Sequence, residues 1–330
     1  MSLPAATLLL PAACLLDQAL GDPRTWLHPV QVMGLAITTL RSAAEGWARS
    51  VPWKLRTAGL IITLLLVGGS GLAGMAMEHL ALRMPWLGLP LLVVGLASAL
   101  AGRSLATAVL GVVDALPDLG RARERLAWIV GRDVQELNET EILRAAAETA
   151  SENAVDGLFA PLFWMGSGLV LWQWQHNLPG PLALAWGFKA ASTLDSMLGY
   201  RRGTLRWLGT AGARLDDVLT WIPCRLVLLS LPVVSGRWRM ACGLWRRSLQ
   251  EGQLDPSPNA GMSQAIYANV VGMQLGGANL YQGQRVMKAA VGVNYSDPTV
   301  EDVTRCIRLT GRLEIVWVAV ITAALACIPH

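Results

Sequence analysis

TAGLIITLLLVGGSGLAGMAM, residues 57–77, contains no charged side chain. An α-helix rises 1.5 Å per residue, so about twenty such residues cross the roughly 30 Å hydrocarbon layer of a bilayer. Working outward, 86–102 and 158–176 repeat the pattern, the latter with Trp172 and Trp174 at its far end, and 313–328 closes the chain with another. Three further apolar runs are interrupted: 3–20 holds Asp17, 182–199 holds Lys189 and Asp195, and 218–234 holds Arg225, Pro223 and Pro232. Composition agrees. Of 330 residues, 53% are hydrophobic and 15% charged, against about 25% charged in a typical globular chain. Fourteen Trp outnumber four Tyr and three Phe together, and Trp is the side chain that sits best at a membrane–water interface. So apolar a chain is not intrinsically disordered. The predicted fold class is all-α: one polytopic integral-membrane unit, 1–330, with about five to seven membrane helices, one or two of them re-entrant, and helical cytoplasmic loops.

Lys and Arg accumulate on the cytoplasmic side of a membrane. The connection 21–56 holds five, 103–157 six, 200–217 four and 235–312 nine, whereas 78–85 holds only Arg83 and 177–181 none. These counts place the four long connections on the cytoplasmic side. For 235–312 to share a side with 200–217, the stretch 218–234 must be interfacial or re-entrant, which its two prolines favour. A net charge of +4 without a concentrated basic stripe argues against nucleic acid. The cysteines at 14, 224, 242, 306 and 327 are odd in number and lack metal-ligand spacing, so they read as reduced thiols. The apolar N-terminus lacks the basic flank of a signal peptide and reads as a first membrane helix.

The scarce polar residues gather in clusters. A helix is predicted from Asn138, with Glu141 completing a capping box, to a stop at Gly157. Glu148, Glu152 and Asp156 follow at i, i+4 and i+8, which places them along one face, and Asn153 adds an oxygen beside them. They form either a solvated acidic face or a set of hard oxygen ligands for a divalent or other cation. AWGFKAASTLDSMLGYRR places Lys189, Asp195, Tyr200, Arg201 and Arg202 in and after an apolar run, where ionisable groups are costly and point to function. Arg214, Asp216, Asp217 and Arg225 in ARLDDVLTWIPCRL suit either a magnesium–phosphate site or an ion-pair network. Asp22 and His28 flank an early Pro-containing turn, where packing or capping competes with catalysis. DPSPNAGMSQA sets Ser257, Asn259 and Gly261 before a helix start able to receive an anion, and LGGANLYQG is a glycine-bounded turn carrying Gly276, Gly277 and Tyr281. There is no GxxxxGK[ST] motif.

In this order, LLDQALGDPRTWLHPVQVMG, AETASENAVDGLFAPLFW, GFKAASTLDSMLGYR, ARLDDVLTWIPCRL, DPSPNAGMSQA and QLGGANLYQG resemble the CbiB/CobD family of cobalamin biosynthesis, the adenosylcobinamide-phosphate synthases. The resemblance spans residues 15 to about 283. Ser192 stands where the family often has Asn, Ala278 where it often has Pro and Gln31 where Arg is usual. The resemblance implies an ATP- and Mg2+-dependent ligase that joins the corrinoid adenosylcobyric acid to (R)-1-amino-2-propanol phosphate or ethanolamine phosphate. Its implied setting is the bacterial cytoplasmic membrane, multi-pass, with the site facing the cytoplasm beside other membrane-associated late enzymes of the pathway. On that reading Glu148, Glu152, Asp195, Asp216 and Asp217 are the candidate catalytic groups, and Glu152, Asp156, Asp195 and Asp217 the candidate magnesium ligands. Asp22, His28, Asn153, Lys189, Tyr200, Arg201, Arg214, Arg225, Ser257, Asn259, Gly261, Gly276, Gly277 and Tyr281 are candidate substrate contacts, with Lys189, Arg201 and Arg214 toward phosphate. A non-catalytic regulator of the AmpE type and a transporter remain as alternatives; no internal inverted symmetry supports the latter.

Overall fold

A computed structural model describes residues 7–22, 28–281 and 283–328. The chain groups into two compact units, Met1–Ala101 with Ala160–Leu219 and Trp317–His330, and Gly102–Phe159 with Thr220–Val316.

The first unit is helical. It contains α1 (Leu9–Leu20), α2 (Pro29–Ala48), α3 (Pro52–Arg83) and α4 (Pro85–Ala97). The part of the expected first segment before residue 7 lies outside the described residues. In the second unit follow α5 (Gly102–Ala115), α6 (Leu119–Ala127) and α7 (Glu139–Ala154), which leads through a π-helical turn at Val155–Phe159 into α8 (Ala160–Trp174). Next come α9 (Pro181–Leu198), the short α10 (Leu205–Leu208) and α11 (Thr210–Val234). The second unit adds α12 (Ala241–Gly252), α13 (Ala260–Val271) and an antiparallel hairpin of β1 (Leu275–Tyr281) and β2 (Gln284–Val291), before α14 (Val300–Cys327). The mass of the chain is therefore helical as expected, with one hairpin where the sequence predicts a turn.

Among the described residues, five helical segments are long and apolar enough to cross a membrane: Pro52–Arg83, Pro85–Ala115, Glu139–Trp174, Thr210–Val234 and Val300–Cys327. The protein is thus a membrane protein by the length and composition of its helices. Two boundaries differ from expectation. Gly157 does not end the helix begun at Asn138, because it is buried inside the π-helical turn and the helix runs on to Trp174. The stretch 218–234, expected to be interfacial or re-entrant, shows no break at Pro223 or Pro232. Both prolines lie inside one continuous helix, α11.

Within the first unit α9 is packed by α2, α3, α4 and α8. Ile37 of α2, Leu55 and Ile62 of α3, Leu194 and Leu198 of α9, and Leu205 and Leu208 of α10 form an apolar cluster. The start of α9 is satisfied in an unusual way. Glu78 of α3, 1% exposed, accepts from the backbone N–H groups of Gly180 (3.1 Å), Leu182 (2.7 Å) and Ala183 (2.9 Å). Those amides have no partner inside their own helix, and the N-terminal dipole favours an anion there. The backbones come close because Gly74, one turn before Glu78, has no side chain: a Cβ on it would lie 2.7 Å from Ala183 Cα. Replacing Glu78 with Ala strands all three amides. Three hydrogen bonds at about 1 kcal/mol each put the loss at about 3 kcal/mol. Thermal unfolding in detergent tests this, and an unchanged midpoint would show that water takes over the carboxylate's role.

Candidate functional site

The carboxylates of α7 meet the hairpin in the second unit. Asn138 and Glu141 form the predicted capping box, each side chain accepting from the other residue's N–H at 2.9 Å, which fixes the start of the helix. Ten residues on from Asn138, the Glu148 carboxylate is 1% exposed. It pairs with Arg132, and its Oε1 accepts from Gly276 N–H at 2.9 Å. Gly276 is where the strand register slips between Leu275 and Gly277. Its φ of +87° is a left-handed conformation that glycine adopts without strain. A bulge frees one residue from the ladder, and its N–H turns to Glu148. Arg132 also donates to Asn279 Oδ1 on β1. The adjoining Asp133 holds the hairpin tip, its N–H donating to Leu280 O at 2.9 Å and its Oδ2 accepting from Gly283 N–H at 2.8 Å.

One turn further along α7, Glu152 accepts from Gln264 Nε2 at 2.8 Å. Lys288 of β2 faces Glu152 and Glu148, with Tyr281 and Asp255 also near. Burial by itself would lower the Lys288 pKa, but the surrounding carboxylates outweigh it and the pKa is raised, so the ammonium is held charged. Ser263 Oγ donates to the Ser151 carbonyl and fastens α13 to α7. Asp156 lies within the π-helical turn, half-buried, and Asn153 is exposed.

The predicted loop before α13 is built as a small framework. Asp255 Oδ1 accepts from Ser257 N–H at 2.8 Å, and Ser257 Oγ receives Asn259 N–H at 3.4 Å and Ala260 N–H at 3.3 Å. Arg225 donates to Asn259 Oδ1 and to Pro258 O (2.9 Å) while stacking on Trp221. Arg225 and Asn259 therefore hold the loop in place. Gly261 is required by crowding, since a Cβ on it would lie 2.4 Å from Asp255 Cβ.

The remaining expected residues fall in the first unit. His28 caps α2 by accepting from Val30 N–H at 3.3 Å, and its Nε2 lies 3.0 Å from Asp22. The expected capping role is thus present; residues 23–27 between the two lie outside the described residues. Lys189 and Asp195 lie half-buried on α9. Tyr200 and Arg201 are exposed after its C-terminus, where Arg202 stacks on the Tyr200 ring. On α11, Arg214 is exposed, Asp216 is buried and Asp217 is half-buried, with Arg214 and Asp217 three residues apart on one face. The four expected magnesium ligands divide between the units, Asp195 and Asp217 in the first and Glu152 and Asp156 in the second. Among the described residues no group of three or more His, Cys, Asp or Glu could hold a metal ion.

Sequence reasoning did not select Arg132, Gln264, Asn279 or Lys288, which complete the cluster around Glu148 and Glu152. One signal for Lys288 was present: the chain has three lysines, at 54, 189 and 288.

A family model described as CobD/Cbib protein matches residues 10–310. A cobalamin biosynthesis protein CobD of Synechocystis is 41% identical over 305 residues, covering 91% of this chain and 86% of that protein. A CobD of Yersinia enterocolitica is 40% identical, with coverages of 90% and 91%. A cobalamin biosynthesis protein CbiB of Salmonella arizonae is 39% identical, with coverages of 94% and 95%. No solved structure matches.

Proposed function

Because the chain belongs to the CobD/CbiB family of cobalamin biosynthesis proteins, we propose that it is a membrane ligase forming the amide of adenosylcobinamide phosphate. Its substrates on this reading are adenosylcobyric acid and (R)-1-amino-2-propanol phosphate or ethanolamine phosphate. At neutral pH the partners meet as a carboxylate and an ammonium, so neither is in the protonation state that condensation needs. ATP removes the first obstacle by converting the carboxylate to an acyl phosphate with release of ADP. A base takes a proton from the ammonium, the freed amine nitrogen attacks the acyl carbon, and phosphate leaves with loss of the second N–H proton.

The observation that carries this reading is the placement of Glu152. It is a carboxylate within a helix that leads into an apolar span, oriented by Gln264 and faced by the charged Lys288. Glu152 is the proposed proton acceptor, and Lys288 the group that steadies negative charge beside it. Glu148, held by Arg132 and Gly276, is the framework that fixes the hairpin against α7. Asp195, Asp216 and Asp217, with Lys189, Arg201 and Arg214, remain proposed contacts for substrate. The described side chains do not make a metal cage of their own, so no step is assigned to a resident ion. Magnesium is proposed as the companion of the nucleotide phosphates, where one or two carboxylates suffice. The basic connections support a site on the cytoplasmic face of a bacterial cytoplasmic membrane, within reach of other late enzymes of the pathway.

The test is an assay of the purified protein with adenosylcobyric acid, Mg·ATP and each aminoalcohol phosphate, with ADP and AMP both quantified. Amide product with stoichiometric ADP is expected. AMP in its place would move the chemistry to an adenylate, and absence of product with every amine would remove the ligase reading. A strain lacking the gene should need cobinamide and fail on cobyric acid, which a regulator or transporter would not produce.

A further inference from the structure

Among the described residues, two buried donors beside the hairpin have no acceptor. Arg144 precedes Glu148 by one helical turn and shares its face of α7. Its Nη1 lies 3.7 Å from where a Cβ of Gly277 would be, and its Nε is buried without a partner. Asn279 is 4% exposed; its Oδ1 serves Arg132, while its Nδ2 is buried without a partner. Gly277 and Asn279 are two apart on β1 and so point to one side of the strand. Lys288 stands directly opposite Gly277 in the register, and cross-strand partners share a face.

Buried N–H groups in folded proteins are almost always paired. Here two unpaired donors and a charged ammonium border a position that carries no side chain and whose φ is +94°. Glu148 is matched by Arg132, and Glu152 and Asp255 lie near Lys288, so Arg144 contributes a charge that no described ion pair uses. What such a surface lacks is acceptors bearing negative charge. A tetrahedral oxyanion supplies several at once, and guanidinium donors suit its geometry.

We propose that the surface over Gly277, bordered by Arg144, Asn279 and Lys288, binds a phosphoryl oxyanion. The ligase reading supplies two sources, the phosphomonoester of the amine and the terminal phosphate of ATP, and only the choice between them rests on that reading.

The first measurement needs no turnover. The full-length protein in detergent is melted in rising inorganic phosphate at constant ionic strength, as wild type, Asn279→Asp and Arg144→Lys. Asn279→Asp keeps the acceptor for Arg132 and removes the amide donor, and Arg144→Lys keeps the charge but not the fork. Phosphate should raise the wild-type midpoint through preferential binding to the native state, and the rise should be lost in Asn279→Asp and reduced in Arg144→Lys. No rise in wild type, or an equal rise in all three, overturns the site. An equal rise with acetate reassigns it to a carboxylate and overturns the phosphoryl assignment. The second measurement is steady-state kinetics. Asn279→Asp should raise KM by about 10-fold or more for the substrate whose phosphate binds here, and leave KM for the other nearly unchanged; no change in either overturns the proposal. If wild type gives no amide product while phosphate still stabilises it in an Asn279-dependent way, the anion site stands and the ligase reading falls.

Discussion

Glu152→Gln is expected to cut amide formation by about 100-fold or more, the contribution typical of a positioned general base, while leaving the protein folded. Gln keeps a carbonyl oxygen for the Gln264 amide, now 2.8 Å from the carboxylate, so the local packing survives. What disappears is the proposed proton acceptor and the negative charge facing Lys288. Initial rates of the purified variant, beside a thermal melt to confirm folding, decide the matter. Turnover within about threefold of wild type would take the base role away from Glu152. Lys288→Met should also lower activity, since it leaves Glu152 without its facing cation; a fully active Lys288→Met variant would show that the pair is a structural contact.

Glu148→Leu is expected to damage the fold rather than the chemistry. The Glu148 and Arg132 side chains are 2% and 7% exposed, so removing one leaves a buried charge with no counter-charge, at a cost of about 3–5 kcal/mol. Gly276 N–H loses its acceptor as well. A large fall in melting midpoint should follow, with loss of protection of the hairpin amides in hydrogen exchange. Because a buried pair replaced as a unit is often nearly neutral, Arg132→Met added to Glu148→Leu should restore much of the loss. A double variant no more stable than the sum of the singles would mean that the two side chains do not act as a pair.

Much of the helical frame was legible because its signals are local. The apolar runs at 57–77 and 313–328 need only a window of residues, and the Asn138–Glu141 box is closed within one turn. What was misread depends on contacts distant in the chain. Gly157 carries the composition of a helix stop, yet burial keeps it helical in a π-turn, and a sequence window does not report burial. LGGANLYQG looks like a loop because two glycines lead it, although it pairs with residues 284–291. The same holds for the candidate site. Glu148 and Glu152 stood out by their spacing, but Gly276 and Gln264 reach them across 128 and 112 residues. Nothing in the immediate neighbourhood of Arg132 or Lys288 marks either as their partner.

The carboxylate at Glu78 bears on how this protein is assembled. α9 is not among the segments apolar enough to cross a membrane alone, and its leading amides find their acceptor only on α3. In hydrocarbon an unmatched backbone amide is prohibitively costly. During synthesis α3 leaves the ribosome about a hundred residues before α9, so the acceptor is already in place when the amides that need it arrive. A side chain with no part in the proposed chemistry thereby sets an order of events: α9 enters the bundle as a guest of α3, and a chain in which α3 is late or misplaced has nowhere to put it.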